Sequence, residues 1–592
     1  MTKADNSGNT MLKKLFLQLL AVNVLYGLVQ PVNNMINSML TGSGLGLEAL
    51  KVNALFLPVI GLVIASSMLF SVGTQINCSH LIGRGKNVKS LTQTAFLSAL
   101  VFSIIFAIIL IVFSTQIASL LGASDETSGQ IQDTSSYIRG YAIGIPFIFL
   151  LAIMFSLLLI EGKKKFIIVL SVLNLVINIS CVIIAIYVID AGLFGVAFST
   201  ALANIVTCII ALIYFQFFSK MFRFSILGFR IEELRMIIND GFPSLTYYGS
   251  VVIRAVLINF IVIHFLDSTT LAVVVVVSGV FNVVDAIIGA CGDVTLLFES
   301  ISYGERDIKD MRSILKLALL SSFIIFAVIT VITILCSFQI AILFSDDNDL
   351  SFLTAASRAI TITAIHFIPD VIAIVIKKHI QAVGRKKFTS LTNILTNVVY
   401  FALSAFLLVS FFGSDGLFLS YTVSYICTLI TYFVYALLLA KKSHRRGFDK
   451  LLFLPANYII EDKDVWTTSI SNREECILAS EEAARICQEK NNDKKRSDYV
   501  MYVIEEMSLN VVEHGFVEGR NNLIAVRMIF DDGGITISIK DNCPHFDPKY
   551  YYELVKTDDD IKSCMGIRLV MRLAKEVSYT NSLDMNNLMV KI

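Results

Sequence analysis

Three ionisable side chains lie in the middle of long apolar runs, where a charge can do chemistry that it could not do at a wet surface. They are Arg254, Asp285 and Asp370. A charge near the centre of a bilayer is costly unless it is paired or faces water, so such residues are candidates for function. We predict that Asp285 and Asp370 bind or sense a cation, with Arg254 as an internal counter-charge. The alternative is a static ion pair that pins the helices together.

A second group of polar residues lies near the end of the chain, in the stretch EEMSLNVVEHG at 505–515. Glu506, Asn510 and His514 are four residues apart, which places a carboxylate, an amide and an imidazole on one face of a helix. An apolar stripe runs beside this row and consists of Val500, Ile504, Met507 and Val511. The polar row is therefore expected to border a half-buried surface.

The composition indicates which elements must position these residues. The chain has 592 residues, of which 55% are hydrophobic and only 16% charged, with a mean hydropathy of +0.73. These values are typical of an integral membrane protein. Lys and Arg total 48 against 47 Asp and Glu, and we expect no nucleic-acid partner. Ten cysteines are scattered without metal-ligand or disulfide spacing and are expected to be reduced.

Apolar runs of at least about 20 residues, the length that crosses a bilayer, fall into two sets of six. The first set is 15–40, 52–76, 92–121, 137–160, 166–189 and 193–218, and the second is 242–265, 270–297, 313–344, 357–380, 388–412 and 416–440. The sequence thus predicts an all-α polytopic membrane protein with 12 transmembrane helices. The alternative is that one run is a buried or re-entrant helix.

Charges in the connections predict the orientation. Basic residues cluster in alternate connections, for example Arg84, Lys377 and Lys441, whereas the other connections carry acids such as Asp190 and Asp347. The positive-inside rule then places both termini in the cytoplasm, with the chain in the plasma membrane.

The two sets of spans repeat each other at an offset of about 220 residues. EGKKKF at 161–166 recurs as VGRKKF at 383–388, and GLFGVAFS at 192–199 recurs as SDGLFLS at 414–420. An even number of spans per copy gives both copies one orientation, so we predict two parallel six-helix repeats with a substrate cleft between them.

These motifs resemble the multidrug and toxic compound extrusion (MATE) transporters over residues 11–440. The resemblance rests on GTQINCSHLIGRGKNVKS after the second span, on EGKKK and VGRKK, and on Asn174, Asn178 and GLFGVAFST. It implies a V-shaped pair of bundles that exchanges Na⁺ or H⁺ for a small organic, often cationic, compound. Many members carry an acid in the first span, but YGLVQPVNNMINSML has none, so a proton site there is not expected.

Four asparagines in the fifth and eleventh spans have a simpler expected role. Asn174, Asn178, Asn393 and Asn397 are predicted to make interhelical hydrogen bonds.

After Lys442 the composition changes to that of a soluble domain. The predicted elements are a strand at 465–470, helices at 472–489 and 496–514, and two strands, IAVRMIF and ITISIK. They predict an α+β two-layer sandwich hung on a flexible basic linker. The resulting division of the chain is 1–14 (N-terminus), 15–218 (first bundle), 219–241 (linker), 242–440 (second bundle), 441–461 (basic linker) and 462–592 (C-terminal domain).

The C-terminal domain resembles the histidine-kinase-type ATPases of the Bergerat fold, most closely the anti-sigma-factor serine kinases. The resemblance rests on the 496–514 helix, on DNCPHFDP at 541–548 and on SCMGIRLVMRLAKEV, which opens a helix at Gly566. It implies ATP and Mg²⁺ as cofactors. Asn510 would offer an amide oxygen to Mg²⁺, Glu506 would act as general base, Asp541 would bind the adenine amino group and Gly566 would cradle phosphate.

The domain departs from that pattern at two positions, where Cys543 and Cys564 replace expected glycines. A side chain there would narrow the nucleotide site. Nucleotide binding, kinase turnover and a docking module without catalysis all stay open.

Two functions follow. The first is a cation-coupled antiporter of organic compounds whose tail senses nucleotide or phosphorylates a cytoplasmic regulatory protein. The second is a membrane-anchored signalling protein in which the transporter body acts as a sensor. ATP-driven pumping is disfavoured because the sequence has no GxxxxGK[ST] phosphate-binding loop.

Overall fold

The structure is a computed structural model. It describes residues 3–123, 129–219, 221–222, 228–343, 350–443, 447–455, 458, 464–491, 494–519, 522–531, 534–555, 565–583 and 585–592. A large helical body precedes a smaller domain of strands and helices.

Eight helices form the first bundle. They are α1 (Lys3–Leu45), α2 (Leu47–Gly83), α3 (Lys89–Val112), α4 (Ser114–Leu120), α5 (Gln130–Ala142), α6 (Ile145–Ile160), α7 (Lys164–Tyr187) and α8 (Gly192–Phe217). The α5 and α6 helices meet at a bend of 43°, as in a broken span or a re-entrant segment.

The second bundle repeats this plan. Its helices are α9 (Ile231–Phe265), α10 (Ser268–Gly304), α11 (Ile308–Leu335), α12 (Ser337–Ile342), α13 (Leu350–Ala364), α14 (Phe367–Ala382), α15 (Lys386–Ile394), α16 (Phe401–Phe412) and α17 (Ser414–Ser443). A π-helical turn, Leu395–Tyr400, joins α15 to α16. The α13 and α14 helices lie along one apolar segment, Leu350–Ala382.

The span prediction is confirmed. Within the described residues, eleven segments are long and apolar enough to cross a membrane, and the bent α5–α6 pair makes twelve. Helices suit this environment because they satisfy their own backbone hydrogen bonds where lipid cannot. Large apolar side chains such as Leu335 and Phe411 point outwards, 75% and 73% exposed, as lipid-facing residues do.

The two bundles touch through glycines at the end nearest the C-terminal domain. A Cβ built on Gly73 of α2 would collide with the carbonyl of Ile237, and one on Gly241 of α9 would collide with the carbonyl of Leu69. Gly83 and Gly304 let α2 and α10 approach in the same way. We call these four glycines the glycine crossing; at these positions the helix backbones lie too close for any side chain.

The C-terminal domain is a five-stranded antiparallel sheet with helices on one face. Its helices are α18 (Arg473–Asn491), α19 (Lys494–His514), α20 (Pro548–Val555) and α21 (Met565–Leu573), and its strands are β1 (Val465–Ile470), β2 (Ile524–Asp531), β3 (Gly534–Asp541), β4 (Glu576–Ser582) and β5 (Met585–Lys591). The strand order is β1-β2-β3-β5-β4. Val526, Ile537 and Leu588 point from the sheet into the core beneath α18 and α19.

The elements expected in this domain agree closely with those observed. The strand at 465–470, the two long helices, the two following strands and the helix around Gly566 are all present. The sequence analysis did not identify α20 or the last two strands, in which polar residues such as Asn581 and Asn586 interrupt the apolar alternation.

The linker differs from its prediction as a flexible segment. A 3-10 helix, Gly447–Leu452, begins its described part, and Leu452, Phe453 and Leu454 are at most 2% exposed. Asp449 pairs with Arg312 of α11 at 2.7 Å. This part of the linker is packed on the second bundle because its apolar side chains find a core there.

Candidate functional site

The three charges expected inside the membrane lie on three helices of the second bundle. Arg254 on α9 donates to Asn397 Oδ1 at 2.9 Å and lies 5.0 Å from the ring centre of Tyr421. Asp285 on α10 is exposed, whereas Asp370 on α14 is only 2% exposed. In the part of the chain that the structure describes, Arg254 makes no ion pair within 4.0 Å of either aspartate.

The carboxyl group of Asp370 is held away from water without full hydrogen bonding. Among the residues that the structure describes, its Oδ1 atom has no hydrogen-bond partner, and its Oδ2 atom lies 4.0 Å from His366 Nε2. A buried acceptor without a donor is unfavourable, so this oxygen is suited to a proton or a small cation.

Lys377 completes the group, and the sequence analysis misplaced it. The charge pattern of the sequence assigns Lys377 to a basic connection, but the residue lies on α14 with 7% exposure. Its Nζ is 3.7 Å from the ring centre of Tyr247, and it lines a small cavity. The signal was available: Lys377 follows Asp370 by seven residues, two helical turns on the same face.

The interhelical role of the asparagines is confirmed. Asn174 Nδ2 donates to Asn204 Oδ1 at 3.1 Å, and Asn178 Nδ2 donates to Thr200 at 2.9 Å. Asn393 bonds the carbonyl of Pro243 at 2.7 Å. Asn397 bonds Ser250 at 3.0 Å and also holds Arg254. These amides fix the α7–α8 and α9–α15 packing and orient the Arg254 guanidinium.

The predicted catalytic row lies on α19 of the C-terminal domain. Glu506 and Asn510 are half-buried, while His514 is exposed. A Cβ built on Gly566 of α21 would collide with Glu506 Oε2, so the carboxylate lies directly against the start of that helix. Burial, followed by the charge of Glu505, raises the pKa of Glu506 above its usual value. The carboxylate lies where a helix N-terminus favours an anion.

Asp541, the expected adenine contact, is buried at the end of β3. Its Oδ1 accepts from Asn586 Nδ2 at 2.7 Å and from the Cys543 amide at 2.9 Å. Tyr579 and Asn581 donate to Asn586 Oδ1 at 2.5 and 2.8 Å and so orient this amide. Burial raises the pKa of Asp541, and the hydrogen bond from Asn586 opposes that rise.

Of the two cysteines at expected glycine positions, the structure describes only Cys543. Cys543 is 7% exposed. A Cβ atom built on Gly515 would lie 3.1 Å from the Cβ atom of Cys543. Its side chain therefore fills space next to the end of α19. Cys564 lies outside the described residues.

A contact surface between the domain and the second bundle was not found by sequence reasoning. Lys540 Nζ pairs with Glu305 Oε2 at 2.6 Å. Arg527 pairs with Asp307 at 3.3 Å and donates to the carbonyls of Glu305 and Arg306, each at 2.9 Å. Burial alone would raise the pKa of Asp307, but the charges of Arg527 and Lys540 outweigh it and the pKa is lowered.

The same face of the sheet also reaches the first bundle. The Leu583 amide donates to the Ile160 carbonyl at the end of α6 at 2.8 Å. Gly85, just after α2, lies against the Ser578 hydroxyl of β4. The domain therefore contacts both bundles at the end where the glycine crossing joins them.

The family comparisons agree with this geometry in both parts of the chain. The MatE family matches residues 24–184 and 243–407, which together cover more than half of the chain. The family described as "Histidine kinase-like ATPase domain" matches residues 471–592.

Relatives and solved structures give the same result. The chain is 26% identical over 408 residues to the multidrug export protein MepA of Staphylococcus saprophyticus, covering 65% of this chain and 85% of that protein. It is 23% identical over 357 residues to the probable multidrug resistance protein YoeA of Bacillus subtilis, covering 57% and 74%.

Among solved structures, an outward-facing multidrug resistance MATE family transporter of the MOP superfamily is similar with a TM-score of 0.67 and 19% identity, covering 73% of this chain and 96% of that one. A MOP superfamily transporter from Pyrococcus furiosus, for which a reversed polarity of the binding pocket is described, is similar with a TM-score of 0.66 and 20% identity, covering 74% and 99%. The chain therefore belongs to the MatE family of membrane transporters and carries a histidine kinase-like ATPase domain at its C-terminal end.

Proposed function

We propose that this chain is an antiporter of the plasma membrane, with both termini in the cytoplasm, which exports small organic, often cationic, compounds in exchange for Na⁺ or H⁺. The observation that carries the proposal is the carboxyl group of Asp370, buried in the second bundle with one oxygen unpartnered. The printed names of the relatives, multidrug export proteins, support organic compounds as substrates.

Four charges take part in the proposed exchange. Asp285 and Asp370 carry the negative charges, while Arg254 and Lys377 carry the positive ones. Arg254 is held by Asn397 and Lys377 lies over Tyr247, so neither cation neutralises an aspartate through a close ion pair in this arrangement. A coupling ion at the aspartates then competes with two cationic side chains, Arg254 and Lys377, rather than with one. The substrate enters when binding or release of the ion changes the net charge of this group.

The decisive experiment is efflux from vesicles that contain the full-length protein. An imposed Na⁺ gradient and an imposed pH gradient are compared for the wild type and for Asp370→Asn. We expect Asp370→Asn to abolish efflux under the gradient that drives the wild type, since an amide cannot carry the coupling charge. Asp190→Asn, at an exposed aspartate between α7 and α8, is the matched control and should transport normally. Unchanged efflux by Asp370→Asn contradicts the proposal.

For the C-terminal domain we propose ATP binding that regulates the transporter. The residues present fit a nucleotide with its metal: Asn510 offers an amide oxygen of the kind that Mg²⁺ accepts, and Asp541 is a fixed buried acceptor suited to the adenine amino group. Glu506, next to Gly566, is placed to orient or deprotonate a nucleophile beside the phosphates. A bound nucleotide supplies the transferable phosphoryl group and its negative charge.

The contacts with both bundles support a regulatory role for this domain. Phosphate groups at the start of α21 would compete with the Glu506 carboxylate for the same helix end. A shift of α21 would act on the sheet whose other face contacts Glu305 and Ile160. Regulation of a separate cytoplasmic protein by the same domain is the alternative, and it requires the partner to reach the nucleotide site.

A further inference from the structure

A buried acid and a buried histidine lie against each other in the second bundle, away from the four charges described above. They are Glu299 on α10 and His379 in the last turn of α14, and both side chains are fully buried. Glu299 Oε2 and His379 Nδ1 are 3.1 Å apart. On the other side of the ring, His379 Nε2 is 3.0 Å from the carbonyl oxygen of Leu452 in the linker.

The partners of the imidazole decide where its hydrogens must be. A carbonyl oxygen can only accept, so Nε2 carries a hydrogen and donates it to Leu452. In a neutral ring of that tautomer Nδ1 is a bare acceptor, and it would face a carboxylate oxygen with no hydrogen between them. Two such acceptors at 3.1 Å repel each other. One further proton, on Glu299 or on Nδ1, removes this repulsion.

Because the pair is buried, the Glu299 carboxylate has few other groups to stabilise it in place of this proton. Apart from the contact with His379, neither oxygen of Glu299 has a hydrogen-bond partner within the described part of the chain. Without the proton, a fully buried carboxylate would remain beside a neutral ring, which is strongly unfavourable. The position of His379 at the C-terminal end of α14 also favours a positive charge on the ring.

The charged groups on the neighbouring elements are engaged elsewhere. The pairs are Lys378 with Asp293 at 2.7 Å, Arg312 with Asp449 at 2.7 Å, Arg385 with the Phe453 carbonyl at 3.1 Å, and Lys316 with the Phe448 ring at 4.9 Å. These groups come from α10, α11, α14, the α14–α15 connection and the linker, so the proton is the natural partner of the Glu299 carboxylate.

We propose that Glu299 and His379 form a proton-binding site that fastens the linker to the second bundle. The bound proton keeps His379 in the state that donates to the Leu452 carbonyl. The next residue, Phe453, packs beside the imidazole, with the two ring centres 6.2 Å apart. Because the fastened state binds the proton, fastening is complete at low pH and is lost as rising pH removes the proton from the pair. This inference does not depend on which ion drives transport or on nucleotide binding.

The test measures hydrogen–deuterium exchange of the linker peptide around residues 447–455 in the full-length protein in lipid nanodiscs. Exchange is compared between about pH 6 and pH 10, after correction for intrinsic exchange rates. The range starts near the pH at which an ordinary histidine titrates and extends upwards. For the wild type we expect protection to fall with rising pH, by up to about tenfold per pH unit above the midpoint, as loss of one proton requires.

Two variants make the result specific. Glu299→Gln keeps a donor towards Nδ1 at every pH, and His379→Gln keeps a donor towards Leu452 without a titrating ring, so either should give protection that no longer depends on pH. His264→Gln, at an exposed histidine of α9, is the matched control and should behave as the wild type. If wild-type protection does not change with pH, or if both Gln variants retain the wild-type dependence, the proposal is wrong. Neither outcome depends on transport activity.

Discussion

Two buried carboxyl groups in this protein differ in what surrounds them. Asp541 accepts hydrogen bonds from Asn586 and from the Cys543 amide, whereas Asp370 has an oxygen with no donor. Donors hold a carboxylate in one orientation and stabilise its charged form, so Asp541 is suited to recognition of a fixed ligand group. An oxygen without a donor favours the arrival of a proton or a cation, which suits Asp370 to exchange.

At the residue scale, we predict that Asp541→Asn weakens Mg²⁺-ATP binding to the full-length protein by roughly 10–100-fold, the loss expected when a charge-assisted hydrogen bond is removed. In the wild type, affinity should decline on acidification at a higher pH than an ordinary aspartate would give. The pKa of Asp541 is raised by burial, and the protonated acid no longer offers the same acceptor. Equilibrium titration with a fluorescent ATP analogue over a pH series measures both effects.

The control for this titration is Asp498→Asn, an exposed aspartate at the start of α19. It removes the same charge from the same domain and should bind as the wild type does. Equal affinity of Asp541→Asn and the wild type would remove Asp541 from the nucleotide site.

The sequence was sufficient to place Glu506 on a helix, Asp541 at a strand end and Gly566 at a helix start, because the three belong to one ordered pattern of elements. It missed Asn586, which reaches Asp541 only through the pairing of β3 with β5. It also misplaced Lys377, because a lysine near the end of an apolar run is usually solvated. Contacts between distant parts of a chain are set by packing, and a single sequence does not record them.

The α2 helix organises the contact between the bundles at the scale of elements. Its glycines at 73 and 83 meet α9 and α10 of the other bundle, and the partners Gly241 and Gly304 are glycines as well. Small residues let helices approach within membranes, where burial of apolar surface does not favour helix–helix contact over contact with lipid. The crossing must also separate if the molecule alternates its open side, so close but purely packed contacts suit it.

We predict that Gly73→Ala and Gly241→Ala each open the glycine crossing. The added methyl would meet a backbone carbonyl, which cannot rotate away, and overpacking of this kind typically costs about 1–3 kcal/mol. Cys78 on α2, fully buried between the two crossing points, should then react faster with a water-soluble maleimide, on the order of tenfold for a cost within that range. Mass spectrometry of the labelled peptide measures the rate.

Gly249→Ala on α9 is the matched control, since a Cβ there meets nothing within 4 Å. Labelling of Cys78 should be unchanged in this variant. If Cys78 is labelled at the wild-type rate in Gly73→Ala and Gly241→Ala as well, the glycine crossing is not what shields Cys78 from the reagent.

Elements were predicted best where their periodicity was unbroken. The strands β2 and β3 alternate cleanly, with Ile535, Ile537 and Ile539 buried on one face. The edge strand β4 alternates less clearly, and its pairing with β5 decides its structure. The bend between α5 and α6 was not predicted, although Gly144 and Pro146 mark the break in the sequence.

For the whole molecule, the main result is the position of the C-terminal domain. Its sheet contacts the second bundle through Lys540 and Arg527 and the first through Leu583. The packed linker adds a third attachment, with the Tyr458 hydroxyl on the Tyr303 carbonyl at 2.5 Å. Separation of the bundles at this end therefore has to strain or release the domain.

We predict that Lys540→Glu undocks the domain and that Glu305→Lys in the same chain restores docking. The single change places two carboxylates together in a largely buried contact, and loss of such a pair costs about 2–5 kcal/mol. The exchange rate of the Leu583 amide, which bonds the other bundle, reports docking without touching the mutated pair.

Lys494→Glu, an exposed lysine at the start of α19, serves as the charge control and should leave that amide protected. Protection that survives Lys540→Glu, or that fails to return in the double variant, would show that the pair does not hold the domain.

The sheet of the C-terminal domain has helices on one face and the transporter on the other. Any cytoplasmic protein that recognises the transporter-facing side must displace the membrane body to bind there, so the two are mutually exclusive occupants of one surface. The concentration of such a protein would then determine the fraction of transporters whose C-terminal domain is undocked. Each transporter with a docked domain would in turn leave more of that protein unbound.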